Sequence, residues 1–159
     1  MNPILLAGLI KNFYSDFNMN TFDNRLKIQK VVYLLKQKNM NLGYDFRLYL
    51  FGPYSSELTR DAFQMNDIID NFSEIKTIVP SEKKDEFIEF IKIIDDEKKN
   101  NVIWLEVLSS FIFLKEIYPD KKDEDIFVMI RNKREEFNIS SDDMKKIIDE
   151  VRKDGYFRI

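Results

Sequence analysis

TFDNRLKIQKVVYLLKQKNMNLGYDFRLYLFGPYSSELTR, residues 21–60, decides how this chain folds. Ile28, Val31, Val32 and Leu35 fall at i, i+3, i+4 and i+7, the spacing of one helix face, and Leu26 and Leu34 widen it. Thr21 is placed to cap that helix, with Asp23 in its first turn, and the helix runs to about Lys38. Gly43 closes the connection to residues 46–51, FRLYLF, whose aromatic content favours a strand. Gly52 and Pro53 end the strand, and Ser55 or Ser56 caps a further helix from about Glu57 to Ile69. Leu58, Ala62 and Met65 form its inward face.

Working outward, residues 3–16 read as a first helix with an apolar stripe of Ile4, Leu5, Leu9, Leu6, Ile10 and Phe13. Residues 74–79, EIKTIV, are a second strand candidate and would pair with residues 46–51 as a small hairpin or wing. Ser81 caps the next helix, whose inward residues are Phe87, Ile88, Ile91 and Ile94. Residues 102–118 are apolar nearly all round and predict a buried central helix that Pro119 stops. Ile126, Phe127 and Ile130 face inward from a helix opened by Asp120 and Asp123. A last helix starts at Ser140, stapled by Ile139 and Met144, and ends before Gly155. The expected fold is mainly α, one helical domain over residues 1–159 with a small two-stranded antiparallel element. Its N-terminal half, residues 1–79, carries the hairpin or wing, and its C-terminal half, residues 80–159, is helical.

The chain has no Cys and no His, which removes disulfides, Cys- or His-based zinc sites and every nucleophile system that needs either residue. No catalytic residue, metal ligand or cofactor is assigned, and the chain is read as a non-enzyme. The N-terminal segment lacks the basic region and cleavage site of a signal peptide. Residues 102–114 are too short to cross a bilayer, which takes about 20 residues. A soluble cytoplasmic protein is expected. Net charge is −3, but residues 1–60 carry 8 Lys and Arg against 4 Asp and Glu, so the N-terminal part is basic and the remainder acidic. Such asymmetry suits a nucleic-acid face, and equally an attraction between the two parts.

Residues 25–35, RLKIQKVVYLL, followed by residues 51–58, FGPYSSEL, resemble the YwgA-like family of bacterial and archaeal proteins. That family carries a KLQK-apolar-YLL helix, a YGPYS-x-EL corner and a later LELL-apolar-LK helix, matched here by residues 104–108, WLEVL, running to Leu114 and Lys115. The first two motifs are similar, more distantly, to the Panacea domain of SocA-like antitoxins. The departures are Arg25, Ile28 and Phe51. The resemblance implies a helical, winged-helix-like fold and a role exercised through protein partners, antitoxin- or defence-related, more than it implies an activity.

Three places carry candidate chemistry. On the basic helix, Arg25, Lys27 and Lys30 would meet phosphates of double-stranded DNA, with Gln29 near base edges, or would meet a protein partner. At the corner, Gly52 and Pro53 are structural, while Tyr54, Ser55 and the nearby Arg60 are candidates for partner contact. As an alternative, Glu74 and Lys76 are loosely similar to the D…E-x-K pattern of metal-dependent nucleases. The leading expectation is a non-enzymatic regulatory or interaction module acting through a protein partner or DNA, with a homodimer left open.

Overall fold

In the computed structural model, which describes residues 3–12, 14, 17–71, 79, 81–96, 99, 101–133 and 137–159, the chain is organised around one buried helix. This is α5, Val102–Ile117, started by Asn101, whose side chain accepts a hydrogen bond from the Ile103 amide at 2.8 Å. Ten of its residues from Trp104 to Leu114 are buried, as expected for a helix apolar on nearly every side. Each large apolar side chain fully buried there contributes roughly 1.5–3 kcal/mol.

Around it stand six further helices among the described residues: α1 Pro3–Ile10, α2 Phe22–Gln37, α3 Ser56–Asn71, α4 Lys84–Asp95, α6 Asp123–Arg131 and α7 Ser141–Asp154. The two strands among the described residues are β1, Arg47–Tyr49, and β2, Gly52–Tyr54. α5 packs against α2, β2, α6 and α7, while α1 lies along α3. The architecture is mainly α with one small antiparallel hairpin, as the helical periodicities predict.

The caps read from the sequence form. Thr21 Oγ1 accepts from the Asn24 amide at 3.1 Å, and Ser140 Oγ accepts from the Asp143 amide at 3.1 Å. Gly155 ends α7 in the left-handed region, φ 68°. Leu58, Ala62 and Met65, and likewise Ile126, Phe127 and Ile130, are buried.

Other expectations are corrected. α1 stops at Ile10, and Leu6, Ala7 and Ile10 point inward while Ile4 and Leu5 are exposed. Every residue of this helix except Gly8 is apolar or Pro, so no polar face marks which side meets α3. A 3-10 turn at Ser81–Lys83 precedes α4, and its inward set is Phe87, Phe90, Ile93 and Ile94, with Ile88 exposed.

The hairpin differs most. The strand predicted in residues 46–51 pairs with the Gly-Pro-Tyr corner itself, Arg47 opposite Tyr54, Leu48 opposite Pro53 and Tyr49 opposite Gly52. Gly and Pro are depleted in strands, so the corner reads as a terminator. Residues 72–78, including the predicted second strand with Glu74 and Lys76, lie outside the described residues.

Long-range bonds from Tyr33 and Lys38 seat α2 on the helical core. Tyr33 donates to Glu116 at 2.8 Å, and Lys38 bonds Glu89 at 2.7 Å and the Tyr156 carbonyl at 2.9 Å. Burial, then the Glu116 carboxylate, raise the Tyr33 pKa. Burial also raises Tyr14 and Tyr44, the latter helped by its bond to Asp61 at 2.9 Å.

Lys133 behaves in the opposite sense. Its Nζ is buried without a hydrogen-bond partner among the described residues, and desolvation lowers its pKa to about 8, against the opposing pull of Glu106. An unfolded lysine titrates near 10.5, so above about pH 8 the unfolded chain binds the extra proton and stability rises with pH. Above 10 the tyrosines of the unfolded chain ionise first, and stability falls again. Denaturant midpoints are therefore expected to climb between about pH 8 and 10, and Lys133→Met should raise the pH 7 midpoint and flatten that climb. A wild-type profile flat over that window would contradict the burial of Nζ.

Candidate functional site

Two polar residues of α2, Gln29 and Lys30, turn inward onto the hairpin. Lys30 is 1% exposed, and its Nζ donates to the Pro53 carbonyl at 2.9 Å. Gln29 is 3% exposed and grips the backbone of Ser55 from both sides. Its Oε1 accepts from the Ser55 amide at 2.8 Å, and its Nε2 donates to the Ser55 carbonyl at 3.0 Å and to Thr59 Oγ1 at 2.9 Å. Ser55, itself buried, accepts from the Leu58 amide at 3.3 Å and so starts α3.

These three residues were expected at an outward face, and their burial corrects that expectation. Buried polar groups need partners, and here the backbone of the hairpin exit supplies them. The pairing joins residues 23 to 30 positions apart, which helix periodicity cannot register.

Gly52 completes the joint. At φ 87° it occupies a conformation that side-chain-bearing residues rarely adopt, and it follows the Leu50–Phe51 turn. A Cβ here would overlap Ser110 Oγ of α5 and approach Lys30 Nζ to 3.3 Å. Glycine thus lets the hairpin lie directly on the central helix.

Above this joint opens a pocket of about 290 Å³, walled by Phe22, Leu26, Tyr49, Phe51 and Tyr54, with Arg25, Gln29, Lys30, Gly52 and Thr59 completing the lining. Phe22 and Phe51 meet edge-to-face at 5.0 Å, and Tyr49 and Tyr54 lie 5.7 Å apart. Tyr54 Oη is 3.0 Å from Thr59 Oγ1, which ties the rim to the Gln29 network. Phe22 is 48% and Tyr49 61% exposed, a concentration of apolar surface around one concavity.

Of the sequence candidates, Arg25, Gln29, Lys30 and Tyr54 come together at this pocket, Gln29 and Lys30 from its buried floor. Arg25 Nη1 donates to the Met19 and Asn20 carbonyls at 3.0 and 3.2 Å, and the guanidinium lies 5.9 Å from the Phe22 ring centre. Lys27 lies instead over the Tyr14 ring at 5.7 Å, and Arg60 is exposed beside Asp61 at 3.7 Å. Neither lines the pocket. Sequence reasoning missed Phe22, Leu26, Tyr49, Phe51 and Thr59. The signal available was the density of aromatic residues between Tyr49 and Tyr54, assigned there to a strand interior.

A second cleft of about 460 Å³ shares the Tyr49 and Tyr54 wall and is lined further by Asp45, Arg47, Leu48, Ser55, Ser56 and Glu57. Among the described residues no cluster of three or more acidic side chains is placed to hold a metal ion, and no helix is long and apolar enough to cross a membrane. Compared with protein-family models, with curated proteins and with solved structures, the chain matches none.

Proposed function

We propose that this chain is a non-enzymatic regulatory or interaction module that works by docking a protein partner on the aromatic pocket between α2 and the hairpin. The observation that carries this reading is the exposure of Phe22, Tyr49 and Tyr54 around one concavity. Water-exposed aromatic surface of this kind is stabilised when a partner covers it, and aromatic anchors dominate interface energetics. The resemblance of residues 25–35 and 51–58 to the partner-dependent Panacea domain leans the same way.

Duplex DNA is the less supported reading, because Gln29 and Lys30 spend their polar groups inside the molecule and the Lys27 ammonium lies over a ring. A displayed library of peptides and small domains, panned on the wild type and counter-panned on Phe22→Ser/Tyr49→Ser, tests the proposal. Both changed side chains are about half exposed or more, so the fold should persist. Enriched binders are expected to lose about tenfold or more in affinity for the double variant, the scale of an interface anchor. Binders indifferent to it, together with steeply salt-dependent binding of long duplex DNA, would replace this reading with the DNA one.

A further inference from the structure

Building on that docking site, we infer that its occupant is an extended acidic peptide segment that inserts one bulky apolar side chain into the pocket and sets a neighbouring carboxylate against Arg25. The pocket's volume, about 290 Å³, is at the small end of ligand sites and suits a single large side chain. Five apolar or aromatic walls recognise an apolar anchor, and the polar lining groups of Gln29, Lys30, Tyr54 and Thr59 are bonded within the chain.

Charge then selects what surrounds the anchor. The charged residues lining the pocket, Arg25 and Lys30, are both cationic, in a chain whose net charge is −3. Lys30 is committed to Pro53 and buried. Arg25 is different. Only its Nη1 makes hydrogen bonds, both to main-chain carbonyls, and no carboxylate lies within ion-pair distance of it among the described residues. Some cations of the chain are paired, as Lys38 is with Glu89 and Lys115 and Arg152 are with Asp123, and Arg25 is not among them. An oriented guanidinium with donors left over, at the mouth of an apolar pocket, is suited to a carboxylate arriving with the anchor.

Aromatic walls with an arginine would also receive a base of single-stranded nucleic acid. A strand leaving the pocket over the Tyr49–Tyr54 wall enters the second cleft, where Asp45 and Glu57 stand beside Arg47. Those carboxylates repel a continuous phosphate backbone, whereas a peptide can carry its carboxylates beside the anchor at Arg25 and uncharged residues over this cleft. β1, exposed along its length and with an outer edge that pairs with no other strand among the described residues, offers main-chain bonds to an extended peptide beside the same wall.

The test uses fluorescein-labelled peptides of one length with a central Leu, Met, Phe or Trp flanked by Asp and Glu, by Ser or by Lys. A central-Ala control and labelled oligothymidylate complete the set, all read by fluorescence anisotropy on the wild type. At least one acidic peptide with a bulky centre is expected to bind about tenfold tighter than its Lys-flanked counterpart, and the central Ala should lose about tenfold. Arg25→Gln should erase the preference for acidic over Ser flanks. Thermal unfolding of the variant checks that the Met19–Asn20 connector survives the change, and the flank series on the wild type stands without it. Equal affinity for acidic and Lys flanks overturns the inference while leaving the docking reading intact. So does an Arg25→Gln variant that folds and keeps the acidic preference. Oligothymidylate binding tighter than every peptide, or no acidic peptide binding at all, overturns the inference too. The panning result decides the docking reading separately.

Discussion

Replacing Gly52 by Ala is expected to lower the stability of the chain by about 3 kcal/mol or more, in the range reserved for a few special backbone and packing sites. Two costs add. The positive φ of 87° penalises any Cβ by about 1–2 kcal/mol. The new methyl would also overlap Ser110 Oγ, on a buried helix that cannot retreat without disturbing the core. The costs separate experimentally. In Ser110→Gly the hydroxyl and its Cβ are gone, so Gly52→Ala measured in that background should cost the backbone share and the smaller adjustment of Lys30 Nζ, 3.3 Å from the new Cβ. Urea unfolding of the four proteins supplies the cycle. A Gly52→Ala cost unchanged in the Ser110→Gly background would mean that the hairpin does not rest on α5 where described.

Lys30→Ala is the second large effect, expected at about 3 kcal/mol. Truncation leaves a cavity where a long stem was packed, a loss of about 2–5 kcal/mol for buried side chains of similar length. It also strands the Pro53 carbonyl, adding about 1–3 kcal/mol. Against these stands the recovered cost of holding an amine out of water, which keeps the total below the sum. Lys30→Met retains the stem and gives up only the bond and the amine, so its cost should be about 1 kcal/mol. If Lys30 were a solvated phosphate contact, neither change would move the thermal midpoint beyond the scatter of surface substitutions. The ratio of the two losses tells packing from hydrogen bonding.

Much of this architecture is legible in the residues. The periodic apolar positions of α2, the Thr21 and Ser140 caps, the Gly155 stop and the all-round apolarity of α5 each depend on neighbours within a few residues. The errors share a cause of the opposite kind. Gln29 and Lys30 are polar by type and buried by circumstance, because their partners at Pro53 and Ser55 arrive from a distant segment. β2 is a three-residue strand of Gly, Pro and Tyr, held by its partner strand and by α2 and α5 where local preference opposes it. The pocket was half visible. Arg25 and Tyr54 were singled out from the sequence, but Phe22 comes from the first turn of α2 and meets Phe51 only once the hairpin folds back. Its role has no local signature.

The grip of Gln29 on Ser55 also bears on the order in which the chain assembles. It closes a loop of 26 residues, whereas the Tyr33–Glu116 bond that seats the same helix on α5 closes one of 83. Loop entropy makes the shorter closure cheaper by about 1 kcal/mol. The chain can therefore join α2 to the hairpin before the central helix docks, and Gly52 then presents α5 with a surface already shaped to receive it.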